Sequence, residues 1–293
     1  MDSFLRGNAL FALAAAVVWG GADFSGGMGV KSAGGGVRAA LRVVLLSYIT
    51  SFIALVAIAW MRGDPFPHGA LLAWGVTAGV AGGLALTCFY TALSRGAMGA
   101  SAAVSGLLAA AIPAAVTLGL EGSPGRMPLL GFVVAAVAIW LIAAGPVEAG
   151  DAGTMALAMA AGVGFGIFFV ALKMANGAGV IWPMATARIG SMSACLLMLL
   201  GSRMRSAKGD DTPVRISRRV VGWVLSAALL DTSGNLLFLA ATRRGRLDVA
   251  AVLGSLYPAS TILLAALTLG EWPTRRQVVG MVAAVAAVVL IAT

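Results

Sequence analysis

The stretch LDVAAVLGSLYPASTILLAALTLGEW, Leu247 to Trp272, decides the class of fold, because between Asp248 and Glu271 it holds no charged residue. About 22 uncharged residues at roughly 1.5 Å each reach about 33 Å as a helix, enough to cross the hydrocarbon layer of a bilayer. The stretch reads as a membrane span. A second stretch, ASAAVSGLLAAAIPAAVTLGLE from Ala100 to Glu121, repeats its order of small residues, a proline and a closing glutamate. Internal duplication is therefore the first thing to test.

Composition agrees with a membrane protein. Of 293 residues 60% are hydrophobic and 11% charged, and the mean hydropathy is +0.97, a balance that a soluble core does not explain. The formal net charge of +9 comes from 20 Lys+Arg against 11 Asp+Glu. Many of those bases sit in short segments flanking apolar runs, where they suit lipid headgroups and topology signals. No continuous basic face and no basic–aromatic interleaving is present, which argues against a nucleic-acid partner. Cys88 and Cys195 both fall in apolar runs and read as small core residues rather than as metal ligands or a disulfide. No metal and no other cofactor is expected.

Apolar segments at 8–30, 37–60, 69–94, 97–120, 128–146, 153–175, 181–201, 219–242, 247–269 and 275–292 predict ten transmembrane helices. The first begins after Arg6 but runs past Asp23 and lacks the short apolar region and cleavage site of a signal peptide. The only sizeable loop, 202–218, is rich in arginine and holds Asp210, Asp211 and Pro213.

Five spans followed by five invite comparison of the halves. YTALSR ending at Arg95 matches FLAATR ending at Arg243, an offset of 148 residues, and the AAV at Ala102 recurs at Ala250 with the same offset. LLGFVVAAVAIWLIA (129–143) parallels VVGMVAAVAAVVLIA (278–292) at an offset of 149, and ALAAAVVWGGADF from Ala12 resembles ALAMAAGVGFGIFF from Ala156 at 144, with Arg42 answered by Arg188. Alanine-rich helices resemble one another by chance, so the order of the matches along both halves carries more than any one of them. An odd number of spans per half makes the second half enter the membrane from the opposite side. The expectation is an all-α membrane protein built as two inverted five-helix repeats, 1–148 and 149–293, with a pseudo-two-fold axis in the membrane plane and a ligand site near the midplane between them.

Trp19-Gly20 in the first span, Arg42 early in the second, Pro113 and Pro258 in the fourth and ninth, and the closing Glu121 and Glu271 resemble the EamA family of the drug/metabolite transporter superfamily. The first-half copy departs in spacing, with Pro113 eight residues before Glu121 against thirteen from Pro258 to Glu271. The resemblance implies a secondary transporter, usually an inner-membrane exporter of amino acids, metabolites or toxic analogues. Its partners are then a small-molecule substrate and the lipid bilayer, with a monomer as the expected state and a bacterial inner (plasma) membrane as the expected location; protons are expected as the coupling ion from the buried carboxylates Asp23 and Asp231 alone.

A charged side chain at mid-bilayer costs roughly 2.5–3.5 kcal/mol on insertion scales, so one that persists faces a polar cavity or a partner. Asp23, Arg188 and Asp231 are the clearest cases, with Asn235 one turn after Asp231 and Trp19 one turn before Asp23. Two readings stay open. In one, an aspartate holds a substrate amine or a proton and Arg188 meets a carboxylate. In the other, Arg188 pairs with Asp231, or Arg42 with Asp23, and fixes helices without touching substrate. Tyr90, Tyr257, Phe165, Phe168 and Trp182 are candidates for a pocket wall or for core, whereas Trp60, Trp74, Trp140, Trp223 and Trp272 suit an interfacial belt. The substrate-contacting set expected is Trp19, Asp23, Tyr90, Phe168, Arg188, Asp231, Asn235 and Tyr257. Pro113 and Pro258 are expected as kinks, since a mid-span proline frees a carbonyl one turn earlier. Gly75, Gly79 and Gly83 recur every four residues as a stripe for close helix contact. His68 sits at a span boundary, and Glu121 and Glu271 at helix ends face solvent or headgroups.

Counting residues at helix starts, loops after odd-numbered spans hold twelve Lys+Arg (Lys31, Arg38, Arg42, Arg95, Arg203, Arg205, Lys208, Arg215, Arg218, Arg219, Arg275, Arg276), against seven at the amino terminus and after even spans (Arg6, Arg62, Arg126, Lys173, Arg243, Arg244, Arg246). The positive-inside rule thus puts both termini outside, whereas the resemblance implies both inside. A membrane enzyme is disfavoured by the absence of H-E-x-x-H and G-x-S-x-G and by a single histidine. A multidrug or cation efflux transporter is the main alternative, and a channel or scaffold remains behind it.

Overall fold

A computed structural model describes residues 2–95, 98–143, 152–205, 217–269 and 272–292, and among these there are helices and connections but no strand. The helices are α1 (Asp2–Ser32), α2 (Gly36–Arg62), α3 (Ala70–Ser94), α4 (Met98–Glu121), α5 (Arg126–Ala143), α6 (Ala152–Ala175), α7 (Ile181–Arg205), α8 (Arg218–Arg244), α9 (Leu247–Gly254), α10 (Tyr257–Leu269) and α11 (Arg275–Ala292). Glu271, Lys208, Asp210, Asp211, Pro213 and Arg215, named above, lie outside the described residues.

Among the described residues, eight stretches are long and apolar enough to cross a membrane: α1 to α4, α6 to α8, and α9 with α10 taken together. The expectation of ten is met by length and composition only to that extent. α5 falls in a shorter class, and α11 has 18 residues, about 27 Å of helix. These two pack antiparallel on each other, Gly131 against Ile291 and Gly280 against Ile142. Side chains such as Ile53, Val133, Leu197 and Val282 point outward and are exposed, a surface that lipid covers and water would not tolerate.

Helix ends follow local chemistry. α1 and α2 are joined through Gly34 and Gly35 at φ 108 and 76, a left-handed turn that a side chain would strain. α8 begins at Ser217, whose hydroxyl accepts from the Val220 N–H at 3.3 Å, an N-cap.

The most extensive contacts run between the halves rather than within them. α1 lies antiparallel along α8, with Asn8 beside Gly245, Trp19 beside Gly234, the Ser25 and Ser226 hydroxyls 3.0 Å apart, and Gly29 beside Trp223. α3 lies antiparallel along α6 and parallel to α7. In that last pair the glycine stripe is used: Gly75 faces Pro183 and Thr186, Gly79 faces the backbone of Ala187, and Gly83 faces Ser191, whose hydroxyl donates to the Gly79 carbonyl at 2.7 Å. Without side chains at these positions the two backbones touch. Trp60, Trp74, Trp140 and Trp272 are exposed as a belt requires. Trp223 is not, because it faces α1 and stands edge-on to Phe24.

Candidate functional site

Seven helices converge on one cavity, whose free space with its open mouth included is about 440 Å³. α1 contributes Trp19 and Asp23, α2 Tyr48, α3 Gly82 and Leu86, α6 Phe165, Phe168 and Phe169, α7 Arg188, α8 Asp231 and Asn235, and α10 Tyr257. Half of these wall residues are aromatic, and the charges are two aspartates and one arginine.

The arginine is already engaged. Arg188 is 2% exposed, and its Nη2 donates to Asp231 Oδ2 at 2.6 Å and to Thr232 Oγ1 at 3.2 Å, while its guanidinium lies 4.3 Å from the centre of the Tyr48 ring. The other carboxylate oxygen, Asp231 Oδ1, accepts from Asn235 Nδ2 at 3.0 Å. The pairing of Arg188 with Asp231, one of the structural alternatives, is therefore made. Arg188 Nε is buried without a hydrogen-bond partner among the described residues.

Asp23 differs. It is 7% exposed and accepts no hydrogen bond and no ion pair from a described residue; the alternative pairing with Arg42 is not formed. With Arg188 committed to Asp231, the cavity keeps one carboxyl group in excess. Beside it, Trp19 stacks on Phe169 with ring centres 5.4 Å apart, and Phe169 lies 4.5 Å from Phe238.

Seven of the eight expected contact residues thus share one cavity. Tyr90 does not line it: its ring fills the slot left by Gly26 on α1 and its hydroxyl donates to the Ala22 carbonyl at 3.4 Å. Trp182 is also elsewhere, at the end of the bundle, where its indole N–H donates to the Asp64 carbonyl at 2.9 Å and Phe66 stands edge-on to it. Tyr48, Phe169, Leu86 and Gly82 were not foreseen as wall residues. His68 is exposed beside Phe66. Glu121 is 45% exposed, as expected, and lies 3.9 Å from Arg246.

Pro258 sits in the first turn of α10, and the chain breaks just before it: α9 ends at Gly254 and α10 starts at Tyr257. Having no N–H, Pro258 cannot return a bond to the Gly254 carbonyl four residues back. Pro113, by contrast, lies inside an uninterrupted α4. Tyr257 closes the cavity at the break and its hydroxyl donates to the Ala102 carbonyl at 3.2 Å. Below the break, outside the spans, Arg246 joins three helices: Nη2 donates to Asp248 Oδ2 at 2.8 Å and to the Gly122 carbonyl at 2.7 Å, and its own carbonyl accepts from Asn8 at 3.3 Å. The bond to Asp248 raises the pKa of the Arg246 guanidinium.

Residues 153–293, which carry Arg188, Asp231 and the helix break, match the model of the EamA-like transporter family. These residues carry the EamA family's pattern. That family is part of the drug/metabolite transporter superfamily. A solved crystal structure resembles this chain with a TM-score of 0.70 at 14% sequence identity, covering 97% of this chain and 96% of that one; a likeness at that identity speaks to the fold alone. No curated protein matches the chain.

Proposed function

We propose that this protein is a secondary transporter that exports small amine-bearing metabolites, amino acids or related compounds, across a bacterial inner membrane by alternating access. The observation that carries the reading is Asp23, which no described residue partners, in a cavity rich in aromatic rings. A carboxylate away from water needs a counter-charge, and a substrate ammonium or a proton supplies it, with the aromatic faces favouring a cation as well.

Alternating access suits two inverted repeats, 1–148 and 149–293, and the packing supports them. Exchanging the halves turns the α1·α8 pairing into α6·α3 and leaves α5·α11 and α2·α7 on themselves. The contacts Gly131 to Ile291 and Gly280 to Ile142 exchange at the offset of 149 read from the sequence. Each helix direction that the contacts define agrees with ten alternating crossings, α9 and α10 counting as one. A single chain holds the whole cavity, which supports a monomer.

The main alternative, efflux of organic cations without a carboxylate, is favoured by one observation: Arg188, the group that would meet a carboxylate, is held by Asp231. Counterflow in proteoliposomes separates the two. Amino acids and their decarboxylated amines should both exchange if Arg188 is released on binding, and only the amines if it is not. Exchange of neither would sink the amine reading. The break at Gly254–Tyr257 is the proposed gate, so Pro258→Ala, which restores a donor for the Gly254 carbonyl, should slow exchange several-fold while the melting temperature in detergent stays unchanged. An unaltered exchange rate would reduce the proline to packing.

A further inference from the structure

We infer that Gly234 and Gly254 set the upper size of what the cavity admits, by fixing the plane of Trp19; this rests on the reading of that cavity as the substrate site. The indole is held at opposite edges by two glycines from two helices. A Cβ at Gly234, in the middle of α8, would stand 2.6 Å from Trp19 Cδ1 and 2.7 Å from Nε1, and one at Gly254, the last residue of α9, would stand 3.0 Å from Cζ3. Stacking on Phe169 at 5.4 Å and 22° and contact with Phe238 at 5.5 Å occupy further sides of the ring. What remains free is the cavity. A methyl group at either glycine therefore pushes the ring inward, and the aromatic ring is too rigid to give way at its edge.

Glycine in mid-helix is otherwise unfavourable, so its presence at 234 marks a close approach rather than a backbone need. The wall exists once. At the offset of 144 the counterparts of Trp19 and Asp23 are Val163 and Ile167, which are 42% and 45% exposed and turn away from the cavity. Charge and ring thus sit together on the α1 side, where a cation held at Asp23 must extend its apolar part along the indole.

Binding to the purified full-length protein in detergent, followed by calorimetry, tests this with methylammonium, benzylammonium and benzyl alcohol as probes. Gly234→Ala is expected to weaken benzylammonium about tenfold, the equivalent of roughly 1.4 kcal/mol of overpacking, while methylammonium changes less than about twofold. Gly254→Ala should shift the same ratio in the same direction, and serves alone if Gly234→Ala does not fold. Adding Trp19→Phe to Gly234→Ala should restore benzylammonium binding by making room. Equal weakening of both amines, or no recovery in the double variant, would overturn the size limit, as would a wild-type protein that binds neither aromatic probe. Benzyl alcohol bound as tightly as benzylammonium would instead remove Asp23's charge role, while its loss in Gly234→Ala and recovery with Trp19→Phe would still support the size limit.

Discussion

Replacing Asp23 by asparagine is expected to remove amine exchange while leaving the protein folded. Asparagine has the same shape, and Asp23 makes no hydrogen bond to a described residue that the change would break. What is lost is the negative charge. A hydrogen bond to a charged group is worth roughly 1.5–3 kcal/mol, or roughly 10- to 150-fold in affinity, so counterflow at fixed low substrate should fall by that order. The melting temperature should hold or rise, since a buried carboxyl group without a partner costs stability. The same variant bears on proton coupling. If the proton rides on Asp23, an imposed pH gradient that drives uptake in the wild type should drive none in Asp23→Asn. Transport indifferent to a pH gradient, and retained in both Asp23→Asn and Asp231→Asn, would leave a facilitator or exchanger.

Arg188→Ala should fail differently, through folding. It deletes a side chain that is 2% exposed and leaves Asp231 with its Asn235 bond but no counter-charge. Breaking a buried pair from one side costs roughly 3–5 kcal/mol, so a large fall in melting temperature and in yield is expected. Arg188→Met combined with Asp231→Leu removes both charges and should recover most of that stability. Thermal unfolding of the single and double variants in detergent reads both outcomes. A single variant that melts like the wild type yet no longer exchanges amino acids would reassign Arg188 to the substrate.

Much of this was legible in the sequence because charge in an apolar run is a strong signal. Asp23, Arg188 and Asp231 stand out against their neighbours, and the cost of burying them alone brings them to a common cavity or to each other. Arg188 found Asp231; Asp23 found no partner among the described residues, and nothing in the sequence distinguishes those two outcomes. Tyr48 and Phe169 were not legible as wall residues because their helices are apolar on every face, so periodicity does not say which face turns inward. The break was legible as a proline, but not which of the two prolines would break its helix. The carbonyl freed by Pro258 belongs to Gly254, followed by Ser255, and a glycine there yields where a run of alanines would not. Pro113 frees Ala109 within LLAAAIP, and α4 holds through it, as alanine's helix preference would have it.

The glycine stripe of α3 has a consequence for how the protein is made. Gly75, Gly79 and Gly83 are covered by α7, and α1 is covered by α8, helices that leave the ribosome roughly 100 residues or more later, a delay of about 5–20 seconds at ordinary elongation rates. During that interval the early helices sit in lipid with their closest partners unmade. The chain therefore matures as one interlaced body, and residues 1–148 expressed alone would present bare grooves that only the other half can fill.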